Sequence, residues 1–186
     1  IPSWCTLLFE GGMFYNGTLK FDDVTINSES NGSYAIFSNI VIDGHISGGI
    51  NVKWFGAKGD GVADDSIPIQ QAINAISTNY SNKGAGSIFI PTPEKYYRLE
   101  HTLDISELWN AHIYCDSLLY GSREGTKSLF VWDGPTNYSM MLGHYTFGVK
   151  LENLSFNGNN IDGVVGLQLS KKDTQNSSAK FMKVSF

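Results

Sequence analysis

Charge is scarce in this chain. Asp, Glu, Lys and Arg together make up 17% of its 186 residues, below the rough quarter usual in soluble domains. Positive charge is scarcer still, with 13 Lys and Arg against 18 Asp and Glu and a net charge of −5. That balance leaves no electrostatic footprint for nucleic acid and no basic run for an anionic membrane. No nucleic-acid partner and no membrane partner is expected. Acidic sugars stay open, because one local Lys or Arg can bind them. No apolar stretch has the length of a membrane span, and no segment has the layout of a signal peptide. Cysteine is nearly absent: Cys5 and Cys115 lie far apart, and two buried free thiols are expected in preference to a disulfide. No CxxC or Cys/His metal spacing occurs. His45, His101, His112 and His144 share no ligand or catalytic spacing, and the GxSxG elbow and the Walker loop are both missing. No cofactor and no metal is expected. The chain also has no initiator Met and opens on Ile1-Pro2, which reads as missing upstream sequence or a trimmed product.

What is abundant points one way. There are 20 Gly, aromatics reach 13%, and 41% of residues are hydrophobic. Few charges, many turn formers and many short apolar runs predict a β-rich chain. In the first fifty residues, Thr6-Leu7-Leu8-Phe9-Glu10 and Thr18-Leu19-Lys20-Phe21-Asp22 read as near copies. Val24-Thr25-Ile26-Asn27, Tyr34-Ala35-Ile36-Phe37 and Ile40-Val41-Ile42-Asp43 continue the pattern of short strands. Gly11-Gly12, Asn16-Gly17, Asn31-Gly32 and Asp43-Gly44 are predicted turns between them. One helix is predicted, because Ile69, Ala72, Ile73, Ile76 and Tyr80 make one apolar stripe. Asp65 or Ser66 is positioned to cap its N-terminus, and Pro68 is tolerable in its first turn.

The last third carries a repeat. Val149-Lys150-Leu151-Glu152-Asn153-Leu154-Ser155-Phe156 aligns without gaps on Ala179-Lys180-Phe181-Met182-Lys183-Val184-Ser185-Phe186. Gly163-Val164-Val165-Gly166-Leu167-Gln168-Leu169-Ser170 is a further strand between them. Short strands recurring at a fixed period are a β-solenoid signature. Leu151, Leu154, Phe156, Leu167, Leu169, Phe181, Val184 and Phe186 are the candidates for the inward side. Phe186 completes a repeat strand with no cap after it, so the chain is expected to be part of a longer protein.

One stretch is more specific than the rest: Trp54-Phe55-Gly56-Ala57-Lys58-Gly59-Asp60-Gly61-Val62-Ala63-Asp64-Asp65-Ser66. The helical segment follows it, then the strands Ser87-Ile88-Phe89-Ile90-Pro91 and Tyr96-Tyr97-Arg98-Leu99. This order resembles the opening of the pectate-lyase-like right-handed parallel β-helix superfamily, of the phage tailspike and tail-fibre type. The resemblance covers roughly residues 50 to 186, most strongly 52 to 100. It implies an all-β solenoid with one short capping α-helix near residues 66–78. Residues 1–50 would form N-terminal short β-coils, and residues 51–186 the start of a β-helix truncated at its C-terminus. It implies the proximal part of a tail fibre or tailspike that recognises host capsular or lipopolysaccharide glycan. The protein would be a homotrimer in contact with other virion tail proteins, and depolymerase activity would lie in coils beyond this chain. The alternative it leaves open is a secreted or cell-surface bacterial polysaccharide lyase or glycoside hydrolase of the same superfamily. A purely structural fibre segment is a third.

The candidate residues divide accordingly. Gly59, Asp60, Gly61, Asp64 and Asp65 are read as architecture, with glycines for a tight turn and carboxylates for turn and helix-cap bonds. Paired carboxylates would mark a glycosidase, but Asp104, Glu107, Asp116, Asp133, Glu152 and Asp162 are scattered. Glu152 is the one placed in a repeat strand, where it can face outward. Lyase chemistry needs a base and a group that neutralises a uronate. Lys150, Lys171, Lys172, Lys180 and Lys183 cluster towards the C-terminus, and Lys150 and Lys180 occupy equivalent repeat positions. Trp54, Trp109, Trp132, Tyr138 and Tyr145 are rings that could stack on sugars. Trp54 is read as packing. Trp132 and Tyr138, beside the Asp133-Gly134-Pro135 turn, are the preferred pair. The substrate-binding set is therefore Trp132, Tyr138, Glu152, Lys150 and Lys180, and no catalytic residue is assigned.

Overall fold

A computed structural model describes residues 1–2, 5–28, 34–77, 86–116, 129–170 and 179–182. The described chain is mostly β, with every strand pairing parallel and one α-helix. The strands in chain order begin with β1 (Thr6–Phe9), β2 (Phe14–Ser28), β3 (Phe37–Ser47) and β4 (Gly49–Asn51). A 3-10 turn (Val52–Phe55) leads to the helix α1 (Ser66–Ser77). Then come β5 (Ser87–Ile90), β6 (Tyr97–Leu99), β7 (Leu103–Asp104), β8 (His112–Cys115) and β9 (Phe130–Trp132). β10 (Ser139–His144), β11 (Val149–Glu152), β12 (Phe156–Asn157), β13 (Val165–Ser170) and β14 (Ala179–Met182) complete the set.

These strands sort into an N-terminal sheet, β1-β2-β3, and three further parallel stacks. The stacks are β4-β5-β8-β11-β14, β6-β9-β12 and β7-β10-β13. Each successive pass of the chain adds one strand to each stack. Strand periodicity then decides what is inside, since alternate side chains face opposite ways. In the five-stranded stack, Ile50, Ile88, Ile113 and Leu151 lie in register and are all buried. Their neighbours Ser87, Phe89, His112, Tyr114, Lys150 and Glu152 are only half-buried. Parallel pairing of one apolar column on the next removes several hundred Å² from water at about 25 cal/mol per Å², and this column sets the register.

The predicted helix is present as Ser66–Ser77, with Ile69, Ala72, Ile73 and Ile76 buried; Tyr80 lies outside the described residues. α1 rests on β3 and on the first strand of each stack, β4, β6 and β7. Its apolar stripe therefore meets the ends of the apolar columns. The aligned repeat is also present, with Val149, Lys150, Leu151 and Glu152 pairing with Ala179, Lys180, Phe181 and Met182. Leu151, Leu154 and Phe156 are buried, and Leu167 and Leu169 pack partly buried against the core. Phe181 is described in its backbone alone, and Val184 and Phe186 lie outside the described residues.

Thr6 pairs with Thr25 of β2. Two expectations need correction. Asn16-Gly17 and Asp43-Gly44 do not separate strands but bend β2 and β3 from within; Asn16 has φ 56° and Gly44 φ 117°. Asn39, at φ 52°, bends β3 beside Asn16 and donates from Nδ2 to Asn16 Oδ1 at 2.8 Å. The local signal for positive φ was legible, but parallel neighbours let the strand continue through it. Asn31-Gly32 lies outside the described residues. Cys5 and Cys115 both remain thiols, but only Cys115 is buried.

Candidate functional site

The glycine-aspartate stretch after Phe55 is a knot of backbone bonds. Asp60 Oδ1 accepts from the N–H groups of Val62 (2.8 Å) and Ala63 (2.9 Å). Gly59 and Gly61 are pressed against Pro93 and the Tyr96 ring, where a Cβ would come within about 3 Å of each. Lys95 N–H donates to Gly59 C=O and Gly61 N–H to Tyr96 C=O. The buried Asp65 carboxylate accepts from Lys58 N–H (2.6 Å) and Gly59 N–H (3.0 Å). This corrects the expected helix cap: Asp65 faces back into the loop, and Ser66 Oγ accepts from Glu100 N–H and His101 N–H instead. It is Asp64 Oδ1 that accepts from Ser66 N–H.

These neighbours titrate in opposite directions. Burial pushes the Asp65 carboxyl up, against the pull of the Lys58 and Gly59 N–H bonds. Burial also opposes ionisation of Asp64, but the bonds from Ser66 Oγ–H, Ser66 N–H and Glu100 N–H outweigh it and hold that carboxyl below the usual range. Linkage fixes the signs. Asp64 contributes stability above the ordinary aspartate value of 3.8 and loses it as pH falls through its lowered value. Asp65 binds its proton more readily folded than unfolded, so its ionisation costs stability above its raised value. The penalty of Asp64→Asn is expected to shrink on acidification towards pH 3. That of Asp65→Asn is expected to widen between neutrality and about pH 4. Urea midpoints of the two variants across this range check both signs.

Asp64, Glu100 and His101 bring one ligand atom each within 4.8 Å of one another. Glu100 is already paired with Arg98 at 2.5 Å, and Arg98 also holds Asp133 at 2.6 Å. The cluster is thus an ion-paired clasp between the loop and the ends of β6 and β9, with three carboxylates around Arg98 and His101.

A different arrangement occupies the outer face of the five-stranded stack. Lys150 and Glu152 are two residues apart on β11 and share that face. Glu152 Oε2 accepts from Lys150 Nζ at 2.6 Å and meets His112 Nε2 of β8 at 3.0 Å. The Lys150 hydrogen bond first, and then the His112 contact, hold the Glu152 carboxyl below the usual range. Beside this trio the rings continue: His112 stacks on Tyr114 (4.6 Å between centroids, 20°), and Tyr114 meets Phe89 of β5 at 5.3 Å. A partly exposed row of rings next to a fixed carboxylate and ammonium has what a sugar ring needs. It offers a face for the C–H surface and charged hydrogen-bonding groups for hydroxyls.

The substrate-binding set expected from the sequence is thus split. Lys150 and Glu152 stand together. Lys180 pairs in register with Lys150 through the backbone, and its side chain is outside the described residues. Tyr138 is 53% exposed but precedes β10, on a different stack. Trp132 is a correction: it is fully buried and its Nε1–H donates to Pro135 C=O, so it offers no face to a ligand. Lys171, Lys172 and Lys183 lie outside the described residues. The neighbours on that face that sequence reasoning passed over are His112, Tyr114 and Phe89, which reach it through the long-range pairing of β5 with β8 and of β8 with β11.

Comparisons agree on architecture. A family model described as rhamnogalacturonase A/epimerase, pectate lyase-like, matches residues 49–106. Those residues run from β4 through the loop and α1 to just past β7. Among solved structures, the chain is similar to ORF18 of Geobacillus virus E2, with a TM-score of 0.55 and 23% identity. That match covers 73% of this chain and 25% of the viral one, so the chain spans about a quarter of the length of that relative. No curated protein matches significantly. No helix among the described residues is long and apolar enough to cross a membrane.

Proposed function

We propose that this chain is the proximal part of a phage tail fibre or tailspike that recognises a host surface polysaccharide. The three stacks are read as coils of a right-handed parallel β-helix running from residue 51 onward, with residues 1–50 as preceding β-coils. The observation that carries the reading is the outer face of the five-stranded stack, where Glu152, Lys150 and His112 adjoin the Tyr114 and Phe89 rings. The pectate-lyase-like match and the likeness to a viral protein support the setting. Assembly as a homotrimer and contact with other virion tail proteins belong to the same reading.

A second reading, a polysaccharide lyase or glycoside hydrolase, is favoured by the description of the family model. Hydrolysis uses two carboxyl groups flanking one bond, whereas Glu152 is the one carboxylate among the described residues of β4, β5, β8 and β11 that face outward. Binding is the better fit.

The test is a panel of bacterial capsular and lipopolysaccharide glycans with the wild-type chain and with Tyr114→Ala and Glu152→Gln. Each variant is expected to weaken binding at least tenfold, or about 1.4 kcal/mol. Failure of the wild type to bind any glycan would sink the reading. Release of reducing ends by this chain would favour the enzyme. Light scattering should give three times 20.5 kDa if the chain assembles as proposed.

A further inference from the structure

A second exposed aromatic surface lies outside the face just described, on the corners that lead into β8 and β11. The two corners share one four-residue pattern. Glu107 and Tyr145 open it in the left-handed region, at φ 61° and 54°. Leu108 and Thr146 follow, both fully buried. Trp109 and Phe147 come next and stand 39% and 56% exposed. Asn110 and Gly148 close it, left-handed again at φ 54° and 64°. The corners are tied together by Glu107 N–H to His144 C=O (2.8 Å), Phe147 N–H to Leu108 C=O (2.9 Å) and Asn110 N–H to Phe147 C=O (2.6 Å). Trp109 and Phe147 are paired as a parallel bridge, with ring centroids 5.9 Å apart and tilted by 43°.

This geometry is held at a cost. A left-handed tyrosine and a left-handed glutamate are each strained by about 1 kcal/mol or more. Thr146 Oγ1 is buried with no hydrogen-bond partner among the described residues. A corner needs none of this merely to turn, since Gly or Asn serves without strain. The strain instead fixes two large rings side by side in water, where apolar surface is unfavourable. Strained backbone clusters at active sites, ligand clamps and switch regions.

We infer that the Trp109–Phe147 pair is a second glycan-binding platform, taking the C–H face of a pyranose ring. The size of the surface selects this occupant. At those exposures the two rings offer on the order of 200 Å², far short of the roughly 800 Å² per partner that a stable protein interface buries. A sugar ring covers such a patch, and because the two rings already pack on each other, less side-chain entropy is lost on binding than for two separate rings. The inference takes its ligand class from the glycan reading above, but it uses different residues.

The test applies the same glycan panel to Trp109→Ala/Phe147→Ala, Trp109→Phe and Tyr114→Ala, with thermal melts and light scattering on each. The double variant is expected to lose at least tenfold in glycan affinity with its melting temperature and mass unchanged, and Trp109→Phe to keep most of the binding. Loss in the double variant with Tyr114→Ala unaffected would uphold this platform and remove the outer face. Loss in Tyr114→Ala with the double variant unaffected would overturn the platform and leave the outer-face reading standing. A change of mass in the double variant would overturn it in favour of a subunit contact. A wild-type chain that binds no glycan would overturn both.

Discussion

Replacing Gly44 by alanine is expected to lower the melting temperature by roughly 10–20 °C, the largest effect of a single methyl at any described glycine. Gly44 sits inside β3 at φ 117°, a conformation that L side chains rarely adopt. A Cβ there would lie 1.8 Å from the Phe21 carbonyl oxygen and 2.8 Å from its carbon. Both are backbone atoms of the paired strand, so no side-chain rotation relieves the clash. The pairing partner of Gly44 is Phe21, at the edge of the register shift between Phe21 and Val24. Strand β3 would have to leave β2 where the ladder is already irregular, exposing Phe21, Ile42 and Ile46, all buried. Gly12→Ala is the control. It carries φ 92° with nothing within 4 Å of a Cβ, so it reports backbone strain alone, about 1–3 kcal/mol. Equal melting temperatures for the two variants would show that the steric contact at Gly44 is not what holds the bend.

Asp65→Ala is expected to cost about 2–5 kcal/mol, or roughly 5–15 °C. The carboxylate is fully buried and satisfies two backbone donors, Lys58 N–H and Gly59 N–H. Alanine removes both acceptors at once, and each backbone donor left unsatisfied costs about 1–3 kcal/mol. Asp60→Ala is expected to cost well under half as much. Its carboxylate also accepts two N–H groups, but in an exposed turn where water can replace it. Guanidinium melts of the two variants separate the cases, and a ranking with Asp60 above Asp65 would overturn the view of Asp65 as the anchor of the loop.

Much of the architecture was legible because it rests on local rules. The 3.6-residue stripe of Ile69, Ala72, Ile73 and Ile76 specified α1. The gapless match of residues 149–152 on 179–182 specified a parallel register, since equivalent residues of a repeat stack on one another. The site was legible only in halves. Lys150 and Glu152 are two apart on one strand, so alternation places them on one face. His112 and Tyr114 reach the same face from a strand nearly forty residues earlier, and no local signal links them to Glu152. Trp132 misled because a ring beside a Gly-Pro turn looks exposed from sequence. Its alternation with Phe130 in β9 buries it, and Pro135 C=O satisfies its one polar atom.

What the sequence determined by itself was therefore periodicity: which residues share a face and where positive φ is needed. Tertiary structure alone decided which strands meet. Thr6 against Thr25, His112 against Lys150 and Trp109 against Phe147 are long-range registers, set by the summed burial of apolar columns rather than by any residue's own preference. Pairs that would hold a ligand, Glu152 with His112 and Trp109 with Phe147, exist only once those registers are made.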